Sequence, residues 1–204
     1  PYPAQITYYE ADNMEGAWRL FATFDVHATR TEGQFMKARR AIFTDERLHE
    51  IPLRVLTSCG TALDMLSGDL LVPRFAKNAV RMKTRKADRV EEHGDDVVFV
   101  SLFSETRFLI RVGVATAMII SRRLDEKAAF DFWERVASGE MLTKTDPRYK
   151  LREALLSGDF GHGNGTTRIQ CEYGYCAVYW NSWRTGQTRH MVKLASMKST
   201  PKMA

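Results

Sequence analysis

The stretch CAVYWNSWRTGQTRH, residues 176–190, combines two tryptophans, a tyrosine and two arginines around a glycine. Apolar residues recur through it, and through the residues before it, at alternating intervals of four and three: Ile169, Tyr173, Cys176, Trp180 and Trp183. This spacing places them on one side of an α-helix, and Gly186 stands where a glycine C-cap belongs. The pattern predicts a C-terminal helix whose tryptophans face the core.

The other side of this helix raises a functional question. Tyr175 and Tyr179 lie off the apolar stripe, which makes them better candidates than the tryptophans for stacking on nucleic-acid bases. Arg184 and Arg189 fall at or beyond the end of the helix, where cations complement the helix dipole and can also reach a phosphate.

Earlier segments predict further helices and a few strands. A stretch that is apolar on nearly every side predicts a core helix near residues 105–121, capped by Ser104. Thr145-Asp146-Pro147 is a strong helix start, and Asp125 begins a helix that ends at Gly139. Strands are predicted over 6–9, 17–28 and 97–103 and in the run up to Leu194, and residues 91–96 are polar and turn-like.

The predicted fold class is therefore α+β: one helix-rich domain with a small number of strands. The main domain spans residues 1–158, and a glycine-rich loop follows over 159–167. Residues 168–204 form a C-terminal helix, a strand and a basic tail that pack on the main domain.

Composition indicates a globular protein and favours an anionic partner. Of the 204 residues, 44% are hydrophobic and 27% are charged, an ordinary balance for a folded chain. The net charge of +5 favours DNA, RNA or another polyanion. Three cysteines without a paired motif indicate a reducing compartment. The sequence shows no signal peptide and no membrane span, so we expect a cytoplasmic protein without membrane partners.

The clearest functional pattern is RFAKNAVRMKTRKADR, residues 74–89. Its cations recur along one side of a helix, and Asp88 is its only acid, so the like charges repel unless an anion lies alongside. The alternative is a solvated helix face, paired with the acids of residues 91–96. With the C-terminal cations added, the predicted phosphate-contacting residues are Arg74, Lys77, Arg81, Lys83, Arg85, Lys86, Arg89, Arg184, Arg189 and Lys193.

Other motifs give weaker signals. The glycine-rich loop lacks the Gly-Lys-Ser/Thr of a phosphate-binding loop. The histidines are scattered, so no metal site and no cofactor is predicted. A cysteine nucleophile would need a histidine base close in space. The acid pairs Asp95-Asp96 and Asp125-Glu126 suit a metal-dependent nuclease, although a turn and a helix cap explain them as well.

The leading hypothesis is a non-enzymatic accessory protein that binds nucleic acid through phosphate contacts. A compact, basic chain without a catalytic signature is typical of accessory proteins of phages and plasmids. The first alternative is a protein–protein or inhibitor module whose basic face meets an acidic protein, with tyrosines such as Tyr175 as anchors. The second alternative is a nuclease whose carboxylates come from distant segments.

Overall fold

Helices dominate the part of the chain that the computed structural model describes, residues 10–14, 16–17, 31–67, 79–158, 160, 168–187 and 201–204. Short 3-10 helices span Glu46–Leu48 and Arg107–Ile110. The α-helices considered below are α1 (Glu32–Arg40), α2 (Leu53–Leu66), α3 (Ala79–Glu92), α4 (Gly94–Ser101), α5 (Val112–Leu124), α6 (Glu126–Ser138), α7 (Pro147–Ser157) and α8 (Arg168–Arg184).

The α+β fold class is wrong for these residues. Helix accounts for 72% of them, and none lies in a strand or sheet. The predicted strands over 6–9, up to Leu194 and over nearly all of 17–28 lie outside the described residues, as does the glycine-rich loop over 161–167.

The strand predicted over 97–103 is instead most of α4 and the turn after it. Val97, Phe99 and Val100 are all buried, so this short helix is apolar on most of its circumference. Periodicity alone does not distinguish such a helix from a buried strand. Asp95 and Asp96 lie in its first turn, where the helix dipole favours carboxylates, so the predicted turn over 91–96 is also wrong.

The predicted core helix exists, but it starts later and ends later than expected. Residues 102–105 form turns, the 3-10 helix follows, and Arg111 in extended conformation precedes α5. Residues 113–119 of α5 are all buried. This helix packs against α2, α4, α6 and α8, so it forms the centre of the described fold.

The predicted C-terminal helix is confirmed as α8, and it is more deeply buried than one apolar stripe implies. Residues 171–180 are all buried, because α5 covers one side of the helix and α7 another. Trp180 is fully buried and its indole N–H donates to the carbonyl oxygen of Ala204 at 2.8 Å. Tyr175 and Tyr179 are buried too, so the prediction that they are available for stacking is wrong.

Local sequence signals located several helix ends correctly. Asp125 caps α6 by accepting the N–H of Ala128, and Asp146 caps α7 ahead of Pro147. Gly139 ends α6 with a φ of 74°, a left-handed conformation that favours glycine. Among the described residues, no helix is long and apolar enough to cross a membrane.

Candidate nucleic-acid interface

Of the predicted basic helix over 74–89, residues 79–89 belong to α3, and residues 74–78 lie outside the described residues. Arg85, Lys86 and Arg89 have described side chains, whereas for Arg81 and Lys83 only the position on the helix is described. Arg74, Lys77, Arg189 and Lys193 lie outside the described residues. The side-chain geometry therefore bears on residues 85–89 of the basic row.

Arg85 forms an ion pair with Asp64 near the end of α2. Its Nη2 donates to Oδ2 of Asp64 at 2.8 Å, and its Nε makes a second contact with the same carboxylate. The Asp64 side chain is only 10% exposed, so this pair holds α3 against α2. When two nitrogens of one guanidinium contact the same carboxylate, the geometry of both side chains is fixed and their charges are neutralised.

Lys86 is buried, although it belongs to the predicted row of outward cations. Its ammonium lies 2.8 Å from Oε1 of Glu32, at the start of α1. Thr61 of α2 also donates to that oxygen, at 3.3 Å. A buried ammonium needs such a partner, because a charge removed from water without one is costly. Lys86 is therefore a structural residue.

Arg89 pairs within its own helix, with Oε2 of Glu92 at 2.6 Å. An acid of α3 also pairs with another helix: the carboxylate of Asp88 accepts a hydrogen bond from Arg39 of α1 at 2.9 Å. The charged side chains in the C-terminal half of α3 thus form ion pairs, both within α3 and with α1 and α2. The premise that this part of the row lacks compensating acids is wrong. Asp64 and Glu32 come from other helices, and Glu92 belongs to the acidic residues 91–96 that the alternative of a paired helix face named.

Arg184 is likewise paired. Its Nη1 donates to Oδ2 of Asp125 at 2.8 Å, and its guanidinium lies 5.7 Å from the ring centre of Trp180. The pKa of Asp125 is lowered because the Ala128 N–H donates to its carboxylate and Arg184 lies beside it. Arg184 therefore connects the end of α8 to the start of α6.

Charge is divided unevenly along the chain. Two stretches of the sequence contain cations and no acid. Residues 74–83 carry Arg74, Lys77, Arg81 and Lys83, and residues 189–198 carry Arg189, Lys193 and Lys198. Their seven positive charges exceed the net charge of +5 of the whole chain.

The carboxylates considered for a nuclease are engaged with arginines. Asp96 is buried and binds Arg122 at 2.8 Å and Arg123 at 2.6 Å. Asp95 pairs with Arg47, and Glu126 lies 3.4 Å from Arg122. The part of the chain that the structure describes contains no group of three side chains suited to hold a metal ion.

The cysteines are buried, and this burial affects the reactivity of their thiols. Burial, with a smaller effect of Asp96, raises the pKa of Cys59 far above its usual value. Burial also raises the pKa of Cys176, and the Glu172 carboxylate raises it further. A thiol with a raised pKa holds little thiolate at neutral pH, so neither is an activated nucleophile.

The sequence did not reveal the acids of α1 and α2 that neutralise Arg85 and Lys86 of α3. Glu32 and Asp64 lie 54 and 21 residues from their partners, and helical spacing identifies neighbours only within one helix. The nearest available signal was that both acids sit on amphipathic helices with buried apolar faces. No family model, no curated protein and no solved structure matches this chain.

Proposed function

We propose that the protein binds nucleic acid through phosphate contacts from the two basic segments, residues 74–83 and 189–198. The observation that carries the proposal is the charge pattern of the sequence: these two segments contain seven cations and no acid. Cations clustered without acids are the electrostatic pattern of a polyanion-binding surface. Arg85, Lys86, Arg89 and Arg184 are not included, because each has a carboxylate partner.

The internal ion pairs of α3 support this division of roles. The pairs of Arg85 with Asp64 and of Lys86 with Glu32 fix the helix to α2 and α1. Arg81 lies one helical turn before Arg85, on the same continuous helix. A cation on a helix that is already held in place loses less conformational freedom when it binds a phosphate.

The proposed recognition depends on the backbone of the nucleic acid. Lysine and arginine bound to phosphates release condensed counterions, which makes affinity fall as salt rises. Such contacts position a protein on the nucleic acid without reading its sequence. We therefore propose sequence-tolerant binding without a chemical step.

Charge reversal with a matched control tests the proposal. The R81E/K83E variant and a K127E/K144E control change the net charge equally, and Lys127 and Lys144 are exposed residues of the described body. Binding of labelled single-stranded DNA, duplex DNA and RNA is measured by fluorescence anisotropy. We expect R81E/K83E to lose about tenfold or more in affinity, or ~1.4 kcal/mol, and the control to lose much less.

Circular dichroism and the thermal midpoint establish that both variants are folded. Equal affinities of R81E/K83E and the parent would overturn the proposal. A heparin column tests the alternative of an acidic protein partner. Retention on heparin, with no binding to any of the three nucleic acids, would replace nucleic acid by an acidic protein surface.

A further inference from the structure

An open groove of about 560 Å³ lies between α6 and the turn that follows α4. Residues 102–106 form one wall, and Phe130, Glu134 and Ala137 of α6 form the other. These three α6 residues are spaced by four and three positions, so they lie on one side of the helix. The buried side of α6 consists of different residues, among them Phe132, Trp133 and Val136. The groove thus lies along a side of α6 that is less buried than the side formed by Phe132, Trp133 and Val136.

Large apolar side chains in the groove remain in contact with water. Leu102 is 59% exposed and Phe130 is 48% exposed, while Phe103 beneath them is buried. The ring centres of Phe103 and Phe130 lie 6.0 Å apart, so the exposed Phe130 ring packs against a side chain of the core. Neighbouring exposed apolar groups that join a concave surface are typical of interaction sites.

The wall formed by residues 102–106 is fixed to the body of the protein. Arg54 of α2 donates to the carbonyl oxygen of Ser104 at 2.7 Å. Phe99 and Phe103 pack edge to face with their ring centres 5.6 Å apart. The groove is therefore preformed, which reduces the entropy cost of binding.

The charge of the groove is opposite to the net charge of the protein. The ionisable side chains that line it are Glu105 and Glu134, and no lysine, arginine or histidine lines it. Glu134 lies 3.5 Å from Arg135, which is not a lining residue, and Glu105 has no ion pair with a described residue. An apolar floor with an acidic rim complements an apolar ligand that carries positive charges at its edges.

We propose that this groove binds a basic amphipathic helix of another protein. Apolar side chains of that helix, three or four residues apart, would cover Leu102 and Phe130. Lysines or arginines flanking the apolar side would lie near Glu105 and Glu134. Helices commonly lie with their apolar side in grooves of this kind, and the groove is open to solvent and is lined by residues from two turns of α6.

A displayed peptide library tests the proposal without presupposing a partner. Sixteen-residue helical peptides sample large apolar residues at one side and lysine or glutamate equally at the flanking positions. The library is selected on the parent protein. Each enriched peptide is then measured by anisotropy against L102S/F130S, E105Q/E134Q and the control L124S/L156S, whose leucines are comparably exposed elsewhere.

We expect enrichment of lysine over glutamate at the flanks. Affinity should fall about tenfold or more in L102S/F130S, because truncating a buried apolar anchor is costly. It should fall about threefold in E105Q/E134Q, because charges at the rim are screened by salt. L124S/L156S should bind as the parent does. Absence of enrichment, glutamate-rich peptides, or equal binding to L102S/F130S would overturn the proposal.

Self-association is a separate outcome. If sedimentation shows that the parent dimerises and L102S/F130S does not, a second copy of the chain occupies the groove and the proposal is wrong. The test is independent of nucleic-acid binding, because R81E/K83E leaves the groove intact and is expected to bind the enriched peptides as the parent does.

Discussion

At the scale of single residues, two core positions determine how the helices pack: one allows two helices to approach closely, and the other joins two helices by ion pairs. Gly113 lies where α5 crosses α8: a Cβ atom built there would be 2.5 Å from the carbonyl oxygen of Ile169 and 2.7 Å from Cβ of Glu172. Asp96 is a buried carboxylate that joins α4 to Arg122 and Arg123 of α5. Neither role was evident from the sequence, because both depend on residues far along the chain.

We predict that G113A destabilises the protein. The added methyl group would meet the backbone of α8, which moves only with the whole helix, so an overpacking cost of about 1–3 kcal/mol is expected. G33A on α1 is the matched control, because no atom lies within 4 Å of its added Cβ. Denaturant unfolding should show a lower midpoint for G113A alone, and a G113A midpoint equal to that of the parent would contradict the close crossing.

We predict that D96N and D95N differ strongly, although the residues are adjacent. The Asp96 side chain is 5% exposed, and its loss of charge leaves two arginines without their partner, at a cost of about 3 kcal/mol. The Asp95 side chain is 64% exposed, so D95N should cost about 0–1 kcal/mol. Urea unfolding of the two variants measures the difference, and similar stabilities would show that Asp96 is not the buried link.

At the scale of elements, local signals predicted helix ends well and predicted element type less well. The caps at Asp125 and Asp146 and the glycine at Gly139 act within a few residues, so sequence spacing suffices to find them. Val97–Phe103 was misassigned, since a short β-branched run buried on most sides carries no helical period. Long-range pairs such as Lys86 with Glu32 were not predictable, because they depend on how α1, α2 and α3 pack.

Asp125 gives a prediction about pH at this scale. Because its pKa is lower in the folded protein than in the unfolded chain, it adds stability above the unfolded value of about 3.9. That contribution is lost as pH falls. D125N keeps a capping side chain but cannot titrate, so its stability should decline less than that of the parent between about pH 5 and pH 2.

The control for this experiment is E140Q, which removes a carboxylate from an exposed position. Thermal unfolding at a series of pH values compares the three proteins. If the curves of D125N and the parent run parallel over this range, Asp125 does not provide the pH-dependent link between α6 and Arg184.

At the scale of the whole molecule, the helices bind many of their charges in internal ion pairs, and seven cations lie in two sequence segments that contain no acid. The sequence indicated the sign of the charge and the basic helix. It did not indicate that acids of α1 and α2 neutralise Arg85 and Lys86. It also did not predict the acidic groove beside α6.

The salt dependence of nucleic-acid binding tests most directly whether the paired cations of α3 differ in role from the preceding ones. Affinity for one duplex is measured by anisotropy across a series of salt concentrations for the parent, R81Q/K83Q and R85Q/R89Q. Each phosphate contact contributes roughly one unit to the slope of log affinity against log salt. We predict a slope that is smaller by about two in R81Q/K83Q and unchanged in R85Q/R89Q. An unchanged slope in R81Q/K83Q, or an equal decrease in both variants, would contradict the account.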